Sequence, residues 1–396
     1  MVKKMIGSGL IYFFVIIVLG LILRLKMIIP IIPELQFMHL VHAHSHVAFL
    51  GWVYFMLIAI LVKYCLPEHV HNSPSMKFIF YGTHLSVLGM LISFTLQGYA
   101  LFSILFSTIH IFLSYFFAFV YFKHRKNHLP LIVQLFFNTG VILMLLSSVG
   151  PWALAVVGAK GLSNTPIFNV FIFLYLHLQY NGWFTFILMG TTYLLLDLPY
   201  SIKQAKWQYA ILLSSVFPSF IPAIMWYGLP SVLEGIGIVG AILQLVATTL
   251  FLKIVWKLYG KEKSAQWLLQ ISFLCLGIKS LMETFESLPI LAEMIPSNRQ
   301  VIIGYLHLTL LGFVSSFLLY YLFQENNPKV TFIGKKSVHL YSFGTLSMIA
   351  LLFLAGLLEW LHFPLHLWIW ISLFLASLIA GVGILFMLPN LTTKAR

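Results

Sequence analysis

Three histidines share one local pattern. His46 opens His-Val-Ala-Phe-Leu-Gly-Trp, His177 opens His-Leu-Gln-Tyr-Asn-Gly-Trp, and His307 opens His-Leu-Thr-Leu-Leu-Gly-Phe. Each reads His-x4-Gly-aromatic, and the unit recurs about every 130 residues, so three copies nearly fill the chain. A neutral imidazole offers a nitrogen lone pair suited to haem iron, copper or zinc. Placed in hydrocarbon it must find such a metal or a hydrogen-bond partner, which makes an intramembrane histidine a functional candidate. The glycine five residues on removes a side chain and admits a neighbouring helix or a flat ligand.

The first copy lies in a cluster of His39, His42, His44 and His46. On a helix His39, His42 and His46 share one stripe while His44 points the other way, so one helix could serve two sites. His84 repeats the His-x4-Gly spacing with Gly89 but lacks the aromatic, and is a second metal-ligand candidate. His110 reads as structural. His69, His71, His124 and His128 in one set of connections, and His362 and His366 in another, carry no assigned chemistry. A separate feature is Lys279 in an apolar stretch, followed by Glu283 and Glu286. Lone charges are costly at membrane depth, and an i,i+4 pair of Lys279 with Glu283 offsets part of that cost. These three residues form a structural ion pair, part of a proton path, or a partner for buried propionates.

The elements that must hold these residues are membrane helices. Of 396 residues 61% are hydrophobic and 8% charged, with 36 Phe, 18 Tyr and 10 Trp spread along the chain, which excludes a water-soluble core. Apolar runs of spanning length start near Met5, Pro33, Phe78, Leu101, Leu129, Pro166, Ala205, Ser231, Ala265, Ser297, His339 and Pro364. Twelve helices in three four-helix units are expected, with boundaries at 1–128, 129–263 and 264–396 inside a single membrane domain. The three repeat histidines fall on helices two, six and ten, which start close to Pro33, Pro166 and Pro296; proline suits a first helical turn. All three should sit at similar depth. The net charge of +13 is not a nucleic-acid signature, because the basic residues lie in short runs between apolar stretches. Lys3, Lys4, Lys63, Lys77, Lys123, Arg125, Lys126, Lys203, Lys206, Lys253, Lys257, Lys261, Lys263, Lys329, Lys335, Lys336, Lys394 and Arg396 fall on one side. Arg24, Lys26, Lys160 and Arg299 fall on the other. The positive-inside rule then puts both termini in the cytoplasm. The run from Ile6 reads as the first spanning helix, since it is long for a signal peptide and lacks a small-x-small cleavage site. Cys65 and Cys275 lie in or near apolar segments, so neither disulfides nor covalent haem attachment through Cys-x-x-Cys-His is expected.

Twelve helices in three units, with histidines in the outer half of helices two, six and ten, resemble the catalytic subunit of the haem-copper oxidase superfamily. The segment His177-Leu178-Gln179-Tyr180-Asn181-Gly182-Trp183-Phe184 is similar to helix six of the nitric oxide reductase branch, where His-Leu-x-x-Glu-Gly precedes two aromatics and the histidine binds the non-haem metal. Asn181 stands where that branch has a carboxylate. The resemblance implies a haem of b rather than c type, held by His307 and one of His42, His44 or His46. It further implies copper, iron or zinc at His177; the two-apart histidines His42, His44 and His46 on helix two suggest redistributed ligands, with His84 a candidate to take part. The twelve-helix NnrS family of haem and copper proteins, with its helix-two His-Ala-His, is a second resemblance, to His42-Ala43-His44. The pattern also departs from the superfamily. Residues from Trp207 to Tyr227 contain no histidine and carry Pro218 and Pro222, and helix ten has a lone histidine, so a complete oxygen-reducing dinuclear site is not expected.

The resulting expectation is a bacterial inner-membrane protein working in electron transfer or in handling nitric oxide or oxygen, an oxidoreductase if it is an enzyme. Electrons would come from quinol or a donor subunit. Two alternatives remain open: a haem-free transporter or channel in which histidines move protons or bind a metal ion, and a non-catalytic assembly subunit.

Overall fold

The computed structural model describes residues 1–195, 201–256, 266–326 and 332–392, and no strand occurs among them. The long helices, numbered in chain order, are α1 Val2–Lys26, α2 Phe37–Cys65, α3 Pro74–Gln97, α4 Leu101–His124, α5 Leu131–Ala159, α6 166–195, α7 Ile202–Tyr227, α8 Ser231–Val255, α9 Gln266–Glu286, α10 Arg299–Glu325, α11 Gly334–Trp360 and α12 Leu367–Leu388. Eleven of them are long and apolar enough to cross a membrane. The chain is an all-α polytopic membrane protein. Helix α6 is not among the eleven. It is helical throughout, but His177, Gln179, Tyr180 and Asn181 dilute its apolar character.

The chain divides into two compact units. One comprises Met1–Leu129, Val330–Leu351 and Leu365–Arg396; the other comprises Pro130–Lys329 and Leu352–Pro364. In the first, α1 packs on α2 and α12, and α3 lies along α4. In the second, α5 packs on α6, and α8 lies between α7 and α9. The boundary expected at 263/264 lies outside the described residues, as do Lys257, Lys261, Lys263, Lys329, Lys394 and Arg396.

Two of the three expected proline starts shift. Pro166 does open α6. Helix α2, however, begins at Phe37, four residues after Pro33. Helix α10 begins at Arg299, because the Asn298 side chain caps it by accepting from the Val301 N–H at 3.0 Å. Pro296 falls in the tighter turn before that cap. A side-chain acceptor satisfies an otherwise orphaned helical N–H, which a nearby proline cannot do.

The repeat has a backbone counterpart. Each histidine is the last residue of an opening α-segment, Phe37–His46, Pro166–His177 or Arg299–His307, and a π-helical stretch follows at once: Val47–Val53, Leu178–Phe184 and Leu308–Ser315. The x4-Gly-aromatic part of each motif lies inside the π-stretch. At each junction the next N–H is shared between two carbonyls: Val47 with Ala43 and His44, Leu178 with Leu174 and Tyr175, Leu308 with Gly304 and Tyr305. The opening segments are 10, 12 and 9 residues long. At 1.5 Å per residue the histidines therefore lie roughly 14 to 18 Å along their helices.

Each π-stretch packs on the helix immediately before it, α1, α5 or α9. The glycines allow this approach in two of them. A Cβ on Gly51 would come within 2.9 Å of the Tyr12 ring, and one on Gly182 within 3.0 Å of Leu143. The aromatic that follows is buried in all three copies, with Trp52 stacked on Phe13 at a ring separation of 4.3 Å. Helices α2 and α10 are the most enclosed of the eleven, with 83% and 61% of their apolar windows buried.

Candidate functional site

In the first unit the helix-two histidines divide between two faces. His44 donates from Nδ1 to the Ile16 carbonyl of α1 at 3.1 Å. His42 and His46 lie against α3 and the turn beyond it. The His42 ring meets Tyr99 edge-on at 4.7 Å, and the His46 ring stacks on Phe94 at 4.2 Å. His46 donates from Nδ1 to its own i−4 carbonyl, His42, at 2.9 Å. The lone pair therefore resides on Nε2, which accepts from the Tyr99 hydroxyl at 3.3 Å.

His84 is held on both sides. Ser8 spends its hydroxyl hydrogen on the Lys4 carbonyl at 2.8 Å, so its oxygen accepts from His84 Nε2 at 2.7 Å. The Tyr12 hydroxyl then donates to His84 Nδ1 at 2.8 Å. The only lone pair, on Nδ1, is taken by the Tyr12 hydroxyl. His110 and Tyr54, both 2% exposed, meet edge-on at 4.6 Å.

The second unit contains a buried polar network drawn from four helices. Its centre is the ion pair between Lys279 and Glu283 on α9, at 2.9 Å from Nζ to each carboxylate oxygen. Lys279 is 1% exposed and Glu283 8%. Helix α6 supplies Asn181, whose amide nitrogen donates to Glu283 Oε1 at 2.8 Å and whose oxygen accepts from Lys279. Helix α8 supplies Gln244, donating to Asn181 Oδ1 at 3.2 Å and to Glu283 Oε2. Helix α10 supplies Tyr305, donating to Glu283 Oε1 at 2.5 Å. The Tyr180 ring completes the enclosure, its centre 5.5 Å from the ammonium. Thr248 and Ser280 also join α8 to α9, at 2.8 Å.

His177 belongs to this network rather than to an open metal position. Its Nδ1 accepts from the Asn181 amide at 3.1 Å, and its Nε2 donates to the Val216 carbonyl at 2.7 Å. That carbonyl is available because of the prolines in α7. The helix tightens to a 3₁₀ turn over Pro218–Tyr227, and the Phe220 N–H bonds Phe217 instead of Val216. The helix-seven prolines thus supply the acceptor that fixes the His177 tautomer. His307, by contrast, donates from Nδ1 to its i−4 carbonyl, Ile303, at 2.7 Å, the same arrangement as His46.

Sequence reasoning singled out Lys279, Glu283, Glu286 and His177 and missed Gln244 and Tyr305 as members. A lone amide in the apolar run around Gln244 was the available signal. Among the described residues no group of three or more His, Cys, Asp or Glu side chains could hold a metal ion, and both cysteines are buried and free. No protein-family model matches the chain, and no curated protein matches it either.

Proposed function

We propose that the chain is a haem-binding membrane protein working in electron transfer or in handling nitric oxide or oxygen, with b-type haem. The observation that supports this reading is the shared state of two repeat histidines. His46 in one unit and His307 in the other each tie Nδ1–H to the i−4 carbonyl at an α-to-π junction, which puts the lone pair on Nε2. An imidazole so oriented by a backbone acceptor is a stronger and better-aimed ligand. Bound haem would supply one-electron transfer. The protein would set its behaviour through each axial histidine and the carbonyl behind it. Quinol or a donor protein would deliver electrons. The excess of cationic residues in alternate connections supports reading both termini as cytoplasmic, in a bacterial inner membrane.

Copper, iron or zinc at His177 or His84 would have to displace the Asn181 amide or the Tyr12 hydroxyl, at 3.1 and 2.8 Å, just as haem iron at His46 would have to displace the longer contact from Tyr99 at 3.3 Å. The deciding experiment is a reduced-minus-oxidised absorption spectrum of detergent-purified protein with metal analysis of the same sample. Haem bands lost in His46→Ala and His307→Ala but kept in His177→Ala support the proposal. A colourless, iron-free protein overturns it.

A second reading, proton or ion handling without haem, is favoured by a different observation: the charged network of Lys279, Glu283, Asn181, Gln244 and Tyr305 at membrane depth. Proton uptake that depends on Lys279 tests it.

A further inference from the structure

The unit that contains α1 and α2 holds thirteen lysines and arginines but only two carboxylates, Glu34 and Glu68. Glu34 is exposed in the connection from α1 to α2, and Glu68 lies past the far end of α2. Arg24, in the last turn of α1, is half-buried, and among the described residues its guanidinium has no hydrogen bond or ion pair. A cation at the edge of hydrocarbon is best stabilised by an anion, and this unit has none to offer it.

The position of Arg24 narrows what that anion is. The nineteen residues between Lys4 and Arg24 carry no charge. On a helix they span roughly 28 Å, close to the thickness of bilayer hydrocarbon, so Arg24 lies at the level of the lipid phosphates. It is not on the lipid-facing stripe of Ile11, Phe14 and Val18. It shares a face with Gly20, which abuts the His44 ring, and with Ile17, which abuts Gly381 of α12. Helical side chains lean toward the N-terminus, so Arg24 leans back over Gly20 and not out toward water. Gly20 leaves room for it: a Cβ there would meet only His44, at 3.3 Å. Arg24 and His44 are electrostatic neighbours. His44 spends its Nδ1 hydrogen on the Ile16 carbonyl, so Nε2 keeps a lone pair, and among the described residues nothing bonds to it.

We propose that Arg24 and His44 form a headgroup site for an anionic phospholipid that carries a hydroxyl, phosphatidylglycerol being the type. The inference is independent of both the haem and the ion-handling readings.

The two side chains offer complementary halves of such a site. The planar guanidinium fork suits two phosphodiester oxygens, and the lone pair on His44 Nε2 accepts from a headgroup hydroxyl. Charge closes one for one, with Arg24 against the phosphodiester and His44 neutral. Phosphatidylethanolamine would bring an ammonium as well and leave a positive charge uncompensated. No other charged side chain alters this count. Lys26 lies two residues on, toward the opposite side of α1, and its Nζ donates to the Ile31 and Ile32 carbonyls at 2.7 and 2.8 Å. His42 is on the other face of α2, against Tyr99.

The test uses the full-length protein in uncharged detergent, stripped of lipid and titrated with phosphatidylglycerol, phosphatidylmethanol, phosphatidylethanolamine or inorganic phosphate. Phosphatidylmethanol has the same charge as phosphatidylglycerol but no hydroxyl. Bound lipid is followed by native mass spectrometry and stability by the unfolding midpoint. Expected for the wild type is tightest binding and the largest upward midpoint shift with phosphatidylglycerol, less with phosphatidylmethanol, least with phosphatidylethanolamine, and no shift with inorganic phosphate. Arg24→Gln should weaken phosphatidylglycerol by about tenfold or more, the equivalent of one hydrogen bond to a charged group. His44→Phe should make phosphatidylglycerol and phosphatidylmethanol equal. Lys26→Gln should bind as the wild type does. If Arg24→Gln fails to fold, Arg24→Lys, which keeps the charge without the fork, should still bind phosphatidylglycerol more weakly. Undiminished binding in the Arg24 variant, an equal loss in Lys26→Gln, or no preference for phosphatidylglycerol over phosphatidylethanolamine overturns the proposal. An equal midpoint shift with inorganic phosphate overturns the lipid assignment in favour of a free phosphate.

Discussion

Tyr305 donates its phenolic hydrogen to Glu283 Oε1 at 2.5 Å, joining α10 to α9 two residues before the repeat histidine His307. The third His-x4-Gly-aromatic motif and the buried ion pair are thus mechanically linked within one unit. Tyr305→Phe removes one donor to a charged acceptor and should cost about 1.5–3 kcal/mol. The measurement is the unfolding midpoint in detergent, which should fall while the helical circular-dichroism signal is retained.

Removing one partner of the ion pair should cost more than removing both. Lys279→Met or Glu283→Leu alone leaves an uncompensated buried charge, an expected loss of about 3–5 kcal/mol. The double variant replaces the pair with apolar side chains and should recover most of that loss. A double-mutant cycle on unfolding midpoints checks it; additive losses would contradict the arrangement.

Gly51→Ala should destabilise by about 1–3 kcal/mol. The new Cβ would lie 2.9 Å from Tyr12 Cγ and 3.2 Å from Val87 Cγ1, with no open space to take it. Gly7→Ala and Gly235→Ala, where nothing lies within 4 Å, serve as controls. Both controls should be neutral or slightly stabilising, since each replaces glycine in a helix interior.

Ser8→Ala should strand the His84 Nε2–H, because the serine oxygen is its acceptor. His84 is half-buried, so the loss should fall at or below the low end of the about 1–3 kcal/mol that a fully buried unsatisfied donor costs. Tyr12→Phe should have a smaller effect of the same sign, as it leaves Nδ1 without a donor but keeps the ring contacts with Phe55 and His84. Ring nitrogen chemical shifts of His84 in the two variants would show which tautomer is displaced.

Much of the fold was legible in the sequence because eleven of the long helices declare themselves by apolar length. The expected helix starts at Leu101, Pro166 and Ser231 coincide with the observed ones. Helix caps were less legible. The Asn298 side chain decides where α10 begins, and nothing in apolar periodicity distinguishes it from Pro296 two residues earlier. The threefold motif was visible as residue spacing, whereas its π-helical backbone was not, since spacing alone does not reveal which carbonyl an N–H selects. Within the network, the i,i+4 relation of Lys279 to Glu283 could be read along one helix. Gln244 and Tyr305 could not be assigned to it, because their partners lie across helix contacts that only tertiary structure defines.

The π-stretches also set the rotational phase of three helices. A single π-turn accommodates one residue more than an α-helix of the same course, so α2, α6 and α10 each reach their far ends offset by about 100° from an uninterrupted helix. Every side chain beyond Val53, Phe184 and Ser315 faces its present neighbours because of that offset. Deleting one residue within Val47–Val53 would therefore let that stretch close as ordinary α-helix with His46 and the fully buried run from Phe55 to Ile58 both kept in register, whereas the same deletion beyond Val53 would turn everything after it by about 100°.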